Sequence, residues 1–460
     1  MTQPAVFSPF PQWFLTAFTA FSLSLGVSSV SAQTLSASAN LPTVPPPPVP
    51  SETNLATIVP LDNSPKAVVD EVWQLVQNEF IGKNFNRSDW LAKRQELLSA
   101  SYADRKDAYR TITKILKQLG DPYTRFMAPE DFSALTSQTS GEISGVGLQL
   151  VIDKRSSDLV VADALRNTPA AKAGILPGDR LIRIDGKPTA LMNLEQASQA
   201  IQGDVGTEVN LQLSRQGKGV FTVTLQRVQI ELDAVTYSVK QDGNLRVGYI
   251  RLDEFSSHAA EQMKAAIEAL NNQNITGYIL DLRGNPGGLL FASVDIARFW
   301  LDRGEIVSTI DRKGGDRHFS ANGTRLTSLP LVILVNQRSA SASEILTGAL
   351  KENGRATIVG TETYGKGTVQ SVHSLSDGSG LAVTIAHYYP PSGTDINQKG
   401  ISPDIYLDLS SEQQLQLRND PSLVGTAADP QYNRALTVLK RHQASLGEPP
   451  LMPKSVGIRP

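Results

Sequence analysis

From residue 247 onward the chain alternates short apolar runs with helical patterns, and glycine-rich loops join them. Residues 247–252, 278–282 and 331–335 read as strands, and the last two are apolar enough to be buried on both faces. Residues 258–270 read as a helix with Met263, Ile267 and Leu270 on one face. Leu290, Val294, Ala297 and Leu301 mark a second helix, and residues 342–352 a third. Parallel neighbours can be joined only by a crossover above or below the sheet. This alternation therefore predicts a mainly parallel sheet with crossover helices, and an α/β fold class for the chain's largest part.

At 460 residues the chain has room for about three domains of roughly 150 residues each. Two other textures precede the α/β region. Ser64-Pro65 suits a helix start, and Val69, Val72, Trp73, Val76 and Phe80 then share one helical face. A second helix is expected around residues 89–100. A third carries Ala108, Ile112, Ile115, Leu116 and Leu119 and stops at Gly120-Asp121-Pro122. Residues 65–126 are expected to form an N-terminal helical domain. Between 140 and 230 the pattern is short strands with glycine turns, plus a helix at 193–201 and strands at 209–214 and 221–226. The α/β core is expected over 231–409. Residues 410–460 form a polar C-terminal tail, packed on the core or partly disordered.

The N-terminus is of another kind. Residues 13–30 carry no charge and end in Val30-Ser31-Ala32, and the first basic side chain is Lys66. Residues 1–32 are read as a signal peptide, which implies export; the alternatives are a retained transmembrane anchor or a disordered tail. Residues 33–64 hold Pro42, Pro45 to Pro48 and Pro50, and are read as an extended linker.

Composition removes several functions. There are no cysteines, so disulfides, thiolate metal sites and a cysteine nucleophile are all excluded. Lys plus Arg is 43 and Asp plus Glu is 45, a net charge of −2 with no basic block, which argues against nucleic acid as a partner. The five histidines form no HExxH pattern. No metal and no cofactor are expected.

Three segments of the α/β region carry possible chemistry. Asn336-Gln337-Arg338-Ser339-Ala340-Ser341-Ala342-Ser343-Glu344 joins a buried strand to a helix, where a hydroxyl sits beside helix N–H groups able to stabilise an oxyanion. Three serines before a helix are also ordinary capping chemistry. Gly360 to Gln370 contains Tyr364-Gly365-Lys366-Gly367. It is not a phosphate loop, because Gly367 stands where Ser or Thr would hold magnesium and a strand follows instead of a helix. A lysine hemmed by glycines and apolar strands suits a neutral general base, since desolvation disfavours the ammonium form. Asp281-Leu282-Arg283-Gly284-Asn285-Pro286-Gly287-Gly288 looks like the nucleophile loop of trypsin-like proteases, but Pro286 takes the serine's place. Its glycines can supply oxyanion N–H groups or simply make a tight turn.

Gly145-Val146-Gly147-Leu148 opening a strand, with Gly178-Asp179-Arg180-Leu181 and Ile184-Asp185-Gly186 downstream, resembles a PDZ domain over residues 140–230. That resemblance implies that backbone N–H groups of Gly145, Val146, Gly147 and Leu148 receive a peptide's C-terminal carboxylate while the peptide adds as a strand. The three segments of the α/β region, in this order and behind a PDZ-like insert, resemble the carboxyl-terminal processing peptidases, also called tail-specific proteases. The resemblance covers about residues 65–409 and implies a peptidase core of the ClpP/crotonase-like type. It implies Ser341 as nucleophile, Lys366 as general base and Gln370 as the group orienting the lysine, with the N–H groups of Ala342 and of Gly287 or Gly288 as oxyanion hole. Ser339 and Ser343 are the positions most easily confused with Ser341. Asp121-Pro122-Tyr123-Thr124-Arg125-Phe126 and Gln138-Thr139-Ser140-Gly141 resemble cyanobacterial and plastid members, which cleave the C-terminal extension of a photosystem II reaction-centre precursor.

The expected function is thus a serine endopeptidase acting on proteins with exposed apolar C-termini, in the periplasm or thylakoid lumen. Peripheral association with a membrane would come through membrane-bound substrates. The competing reading is an exported PDZ scaffold with an inactive core. A trypsin-like protease with a PDZ domain fits less well, because there the PDZ domain follows the catalytic region.

Overall fold

Ser64 caps the first helix, Pro65–Glu79, by accepting from Lys66 N–H (3.3 Å), and Pro65 occupies its first turn. The computed structural model describes residues 64–82, 85–153 and 155–447, so the expected signal peptide (1–32) and nearly all of the linker (33–64) lie outside the described residues. The chain divides into two units, one of which holds the three N-terminal helices and the other the PDZ-like domain and the α/β core.

In the helical unit Pro65–Glu79, Arg87–Ser99 and Arg105–Lys117 pack around Val72, Trp73, Trp90, Leu97, Ile112 and Leu116. The unit is not closed by the contiguous stretch 65–126. Residues 370–386, from far along the chain, belong to it. Their hairpin contributes Leu375, Leu381 and Val383 to the same core. The short strand Arg125–Met127 pairs antiparallel with residues 380–382, and polar bonds stitch the hairpin to the helices: His373 to Glu79 (2.8 Å) and Tyr109 hydroxyl to Asp377 (2.6 Å). Three short helices bury too little apolar surface alone, and the hairpin supplies the missing face.

In the other unit, the PDZ sheet runs in the order Leu148–Ile152, Leu159–Ala164, Arg180–Ile184, Glu208–Arg215, Gly219–Gln226. Its core is Val161, Ile175, Leu181, Ile184, Val209, Leu211 and Leu213. Helix Leu194–Ile201 starts with a capping box between Asn193 and Gln196. A two-stranded ribbon, Glu142–Gly145 against Val228–Glu231, joins this domain to the α/β core.

The core sheet has the order Val235–Asp242, Leu245–Leu252, Gly277–Asp281, Leu331–Val335, Ala356–Gly360, Ile405–Tyr406. The first pair is antiparallel and the rest are parallel, as the alternation requires. Every residue of Gly277–Asp281 and Leu331–Val335 is buried, because both faces are covered. The tail beyond 410 helps to cover them. Helix Pro430–Gly447 lays Tyr432, Ala435, Leu436 and Leu439 on Val247, Ile279, Val332 and Leu334.

Candidate active site

The site is assembled where two strands end. Leu331–Val335 runs into residues 336–341 and then helix Ala342–Glu352, and Gly277–Asp281 runs into the loop ending at Gly287-Gly288. The three serines before the helix have different surroundings. Ser339 Oγ donates to Leu282 O (2.8 Å), and Ser343 Oγ donates to Asn285 O (3.0 Å). Ser341 Oγ is buried and makes no hydrogen bond among the described residues. Ser339 and Ser343 therefore lock the helix start to the glycine loop, and Ser341 is left uncommitted.

Ser341 also has the least comfortable backbone of the three, with φ 53° and ψ −113°. A side chain at positive φ costs about 1–3 kcal/mol and persists only where its neighbours over-determine it. Here the chief restraint is Glu344. Its Oε2 accepts the N–H of Ser341 (2.9 Å) and the N–H of Lys366 (2.9 Å). Its Oε1 accepts the N–H of Gly365 (2.6 Å) and the Thr363 hydroxyl (2.6 Å). Burial pushes the Glu344 carboxyl above its ordinary value, and these four donors oppose that shift. One carboxyl group thereby fastens the loop carrying Lys366 to the peptide of Ser341. Lys366 is 1% exposed, and the whole length of its side chain is inside the protein.

Gly287 lies directly on Ser341, since a Cβ there would stand 2.8 Å from Ser341 Cβ and 2.7 Å from Ala340 O. At Gly288 a Cβ would meet Phe255 O at 2.4 Å, because the two residues form a parallel bridge. Asn285, fully buried, organises the loop. It donates to Leu252 O (2.8 Å), its side-chain oxygen accepts Gly287 N–H (2.8 Å), and its carbonyl accepts Ala340 N–H (3.1 Å). Gly287 N–H is thus occupied in this conformation. The N–H groups of Ala342 and Gly288 enter no such backbone bonds among the described residues.

Behind the loop, Arg283 forks between two buried carboxylates. It reaches Asp281 (2.9 and 2.6 Å) and Asp429 (3.0 and 2.7 Å), and Tyr249 also donates to Asp281 (2.7 Å). Burial pushes Asp281 up, but the charge and hydrogen bonds of Arg283 outweigh it and hold the group below its ordinary value.

The structure thus brings Ser341, Ala342, Lys366, Gly287 and Gly288 together. Gln370 falls in the unit with the helices, where its amide donates to Thr384 Oγ1 (3.2 Å). The loop Gly145 to Leu148 lies in the PDZ domain, away from these residues in the chain. There the carbonyls of Val146 and Gly147 accept from Ala170 and Leu165 (both 2.9 Å), and the N–H groups of Val146 and Gly147 take no part in these bonds. Leu148–Ile152 is an edge strand, with Val151 and Ile152 exposed. Glu344, Asn285 and Thr363 went unassigned in the sequence. Glu344 had a signal: Ser341-Ala342-Ser343-Glu344 has the spacing of a capping box.

A PDZ domain joined to this α/β sheet, with a serine, a lysine and glycine N–H groups gathered at the strand ends, defines a hydrolase of the serine-peptidase class. The comparisons agree. Residues 246–407 match peptidase family S41, and residues 160–215 match the PDZ domain. The carboxyl-terminal-processing protease of Synechocystis sp. is 39% identical over 396 residues, which cover 84% of this chain and 91% of that protein. The chloroplastic carboxyl-terminal-processing peptidase 3 of Arabidopsis thaliana is 41% identical over 349 residues, 73% of this chain and 67% of that protein. The solved photosystem II D1 C-terminal processing protease superposes with a TM-score of 0.50 at 36% identity, covering 80% of this chain and 99% of that one. The chain belongs to peptidase family S41 and is a carboxyl-terminal-processing serine peptidase with a PDZ domain.

Proposed function

We propose that Ser341 is the nucleophile and Lys366 the general base of a peptidase that trims C-terminal extensions. The observation that carries this is the contrast among three neighbouring serines: Ser339 and Ser343 spend their hydroxyls on backbone carbonyls, and Ser341 does not. Neutral Lys366 takes the proton of Ser341 as Oγ attacks the scissile carbonyl. The tetrahedral oxyanion is received by the N–H of Ala342 and of a glycine in the loop, Gly287 or Gly288. Gly287 serves only if its bond to Asn285 opens. The lysine then returns the proton to the leaving amine, and water hydrolyses the acyl-enzyme. Gln370, four residues beyond Lys366, has the role of orienting the amine.

The substrate's free, apolar C-terminus docks on the N–H groups of the 145–148 loop and extends along the open edge of Leu148–Ile152. The likeness to the photosystem II D1 C-terminal processing protease favours a photosystem II precursor as substrate, and the uncharged N-terminal segment favours an exported location, in the periplasm or thylakoid lumen. Contact with a membrane would come through the substrate.

The test is cleavage of a peptide with an apolar C-terminus, free or amidated, by the unmutated protein and by Ser341→Ala, Lys366→Ala and Gln370→Ala. Cleavage of the free peptide alone, lost in the first two variants and weakened in the third, is the expected result. Cleavage that survives Ser341→Ala or Lys366→Ala would remove that residue from the mechanism. Equal cleavage of both peptides would remove the terminus requirement.

A further inference from the structure

Strand Gly380–Tyr389 carries one polar group deep into the candidate site. Tyr388 is 1% exposed, and its N–H donates to Gly367 O (3.0 Å). Its hydroxyl donates to the carbonyl of Ser341 (3.2 Å) and to the carbonyl of Lys366. A phenol has one proton, so both carbonyls share it. Ser341 and Lys366 are 25 residues apart in sequence and lie on different elements, a helix start and a loop before a strand. Glu344 already ties their N–H groups together. The tyrosine ties their carbonyls.

We infer that Tyr388 is a positioning residue for this reaction, whose single hydroxyl sets the spacing between nucleophile and base. The inference rests on the proposed roles of Ser341 and Lys366. The Ser341 carbonyl keeps helix bonds from Glu344 N–H (2.8 Å) and Ile345 N–H (3.0 Å) whatever the tyrosine does. Removing the hydroxyl therefore acts mainly on the 366–367 peptide. That peptide is then freer to rotate, and the root of the Lys366 side chain turns with it. Because the hydroxyl bonds backbone carbonyls of the reacting pair, its loss should slow the chemical step and leave peptide binding alone. Misplacing a reacting group by about 1 Å costs on the order of 100-fold in rate.

The full chain is assayed with a fluorogenic peptide bearing a free apolar C-terminus. Tyr388→Phe, which keeps the ring, is compared with the unmutated protein and with p-aminophenylalanine at position 388, which restores an N–H donor. The expected result for Tyr388→Phe is a kcat lower by about 10- to 100-fold, with KM changed less than about twofold and an unchanged far-UV spectrum. Labelling of Ser341 by a fluorophosphonate should slow in step, and the amino variant should recover much of the loss. A Phe variant with unmutated kcat, a KM that rises with the fall in kcat, a Phe variant that does not fold, or an amino variant no better than Phe would each overturn the inference. Cleavage retained by Ser341→Ala in the same assay would instead overturn the reading on which it rests.

Discussion

Glu344 and Tyr388 bond the backbones of the same two residues, Ser341 and Lys366, through successive peptide groups. The carboxylate accepts the N–H groups of Ser341 and Lys366, both at 2.9 Å, and the phenol donates to their carbonyls. The spacing of Ser341 and Lys366, the proposed nucleophile and base on separate elements, is thereby held by bonds to main-chain groups. The same arrangement explains how Ser341 tolerates positive φ.

Glu344→Gln should therefore be severe despite its conservative shape. All four hydrogen bonds to the carboxylate come from donors, so an amide must turn its NH2 toward two of them. The expected cost is roughly 1–3 kcal/mol of stability and a kcat lower by about 100-fold. Urea unfolding and peptide kinetics on the same preparation check both. A variant with native kcat would mean that the carboxylate does not set the geometry.

Gly288→Ala tests the glycine loop. The new Cβ would fall 2.4 Å from Phe255 O, a backbone atom that cannot swing away. The loop must shift, and any oxyanion donor on it is misplaced. Losing one such donor costs about 100- to 1,000-fold in kcat. The peptide assay should show a loss of that size with KM little changed, and a variant within threefold of the unmutated kcat would rule it out.

Arg283 is a stability residue that sits behind the loop. Arg283→Met takes the shared cation from the buried Asp281 and Asp429 and leaves Asp281 with Arg251 at 3.8 Å. Breaking such a buried pair costs roughly 3–5 kcal/mol. The pH dependence follows from the lowered pKa of Asp281. A carboxyl depressed by folding adds stability that is present above its unfolded value, about 4, and lost as pH falls through the folded one. Arg283→Met lacks that contribution, so its deficit in urea-unfolding stability against the unmutated protein should be full above about pH 4 and narrow as pH falls below it, followed by circular dichroism.

Glu254 has the opposite sign. Burial pushes its carboxyl from 4.5 up to about 8, against a hydrogen bond from Gln138. The protonated form is the one that folding prefers, so its contribution is complete below about pH 4.5 and fades as pH rises through about 8. Glu254→Gln removes this titration. Its urea midpoint should gain on that of the unmutated protein between pH 5 and pH 8, and parallel curves would show that Glu254 does not titrate in this way.

The strand and helix order of the core was legible because each element buries its own apolar pattern. Leu331–Val335 and Ala342–Glu352 are examples. The serine and lysine segments were legible for a related reason, since glycines and small residues cluster where a backbone must turn at a strand end. Other features depended on distant partners. The hairpin at 370–386 reads as part of the core, yet Leu375, Leu381 and Val383 complete the apolar face of helices that lie at residues 65–117, far earlier in the chain. Tyr388 follows five mostly apolar strand residues and looks like one more core aromatic. Its hydroxyl matters only because folding brings two carbonyls to it.

The sequence by itself determined the α/β core, the PDZ insert and the small set of residues able to do acyl-transfer chemistry. These rest on local periodicity, turn residues and side-chain type, which are properties of short stretches. The tertiary structure alone decided which of three neighbouring serines is uncommitted, because a hydroxyl's hydrogen-bond partner is fixed by carbonyls on another loop. It also decided what holds Ser341 and Lys366 in register. A buried carboxylate and a phenol act on backbone groups that converge only after the sheet, its crossovers and the last long strand have closed around them.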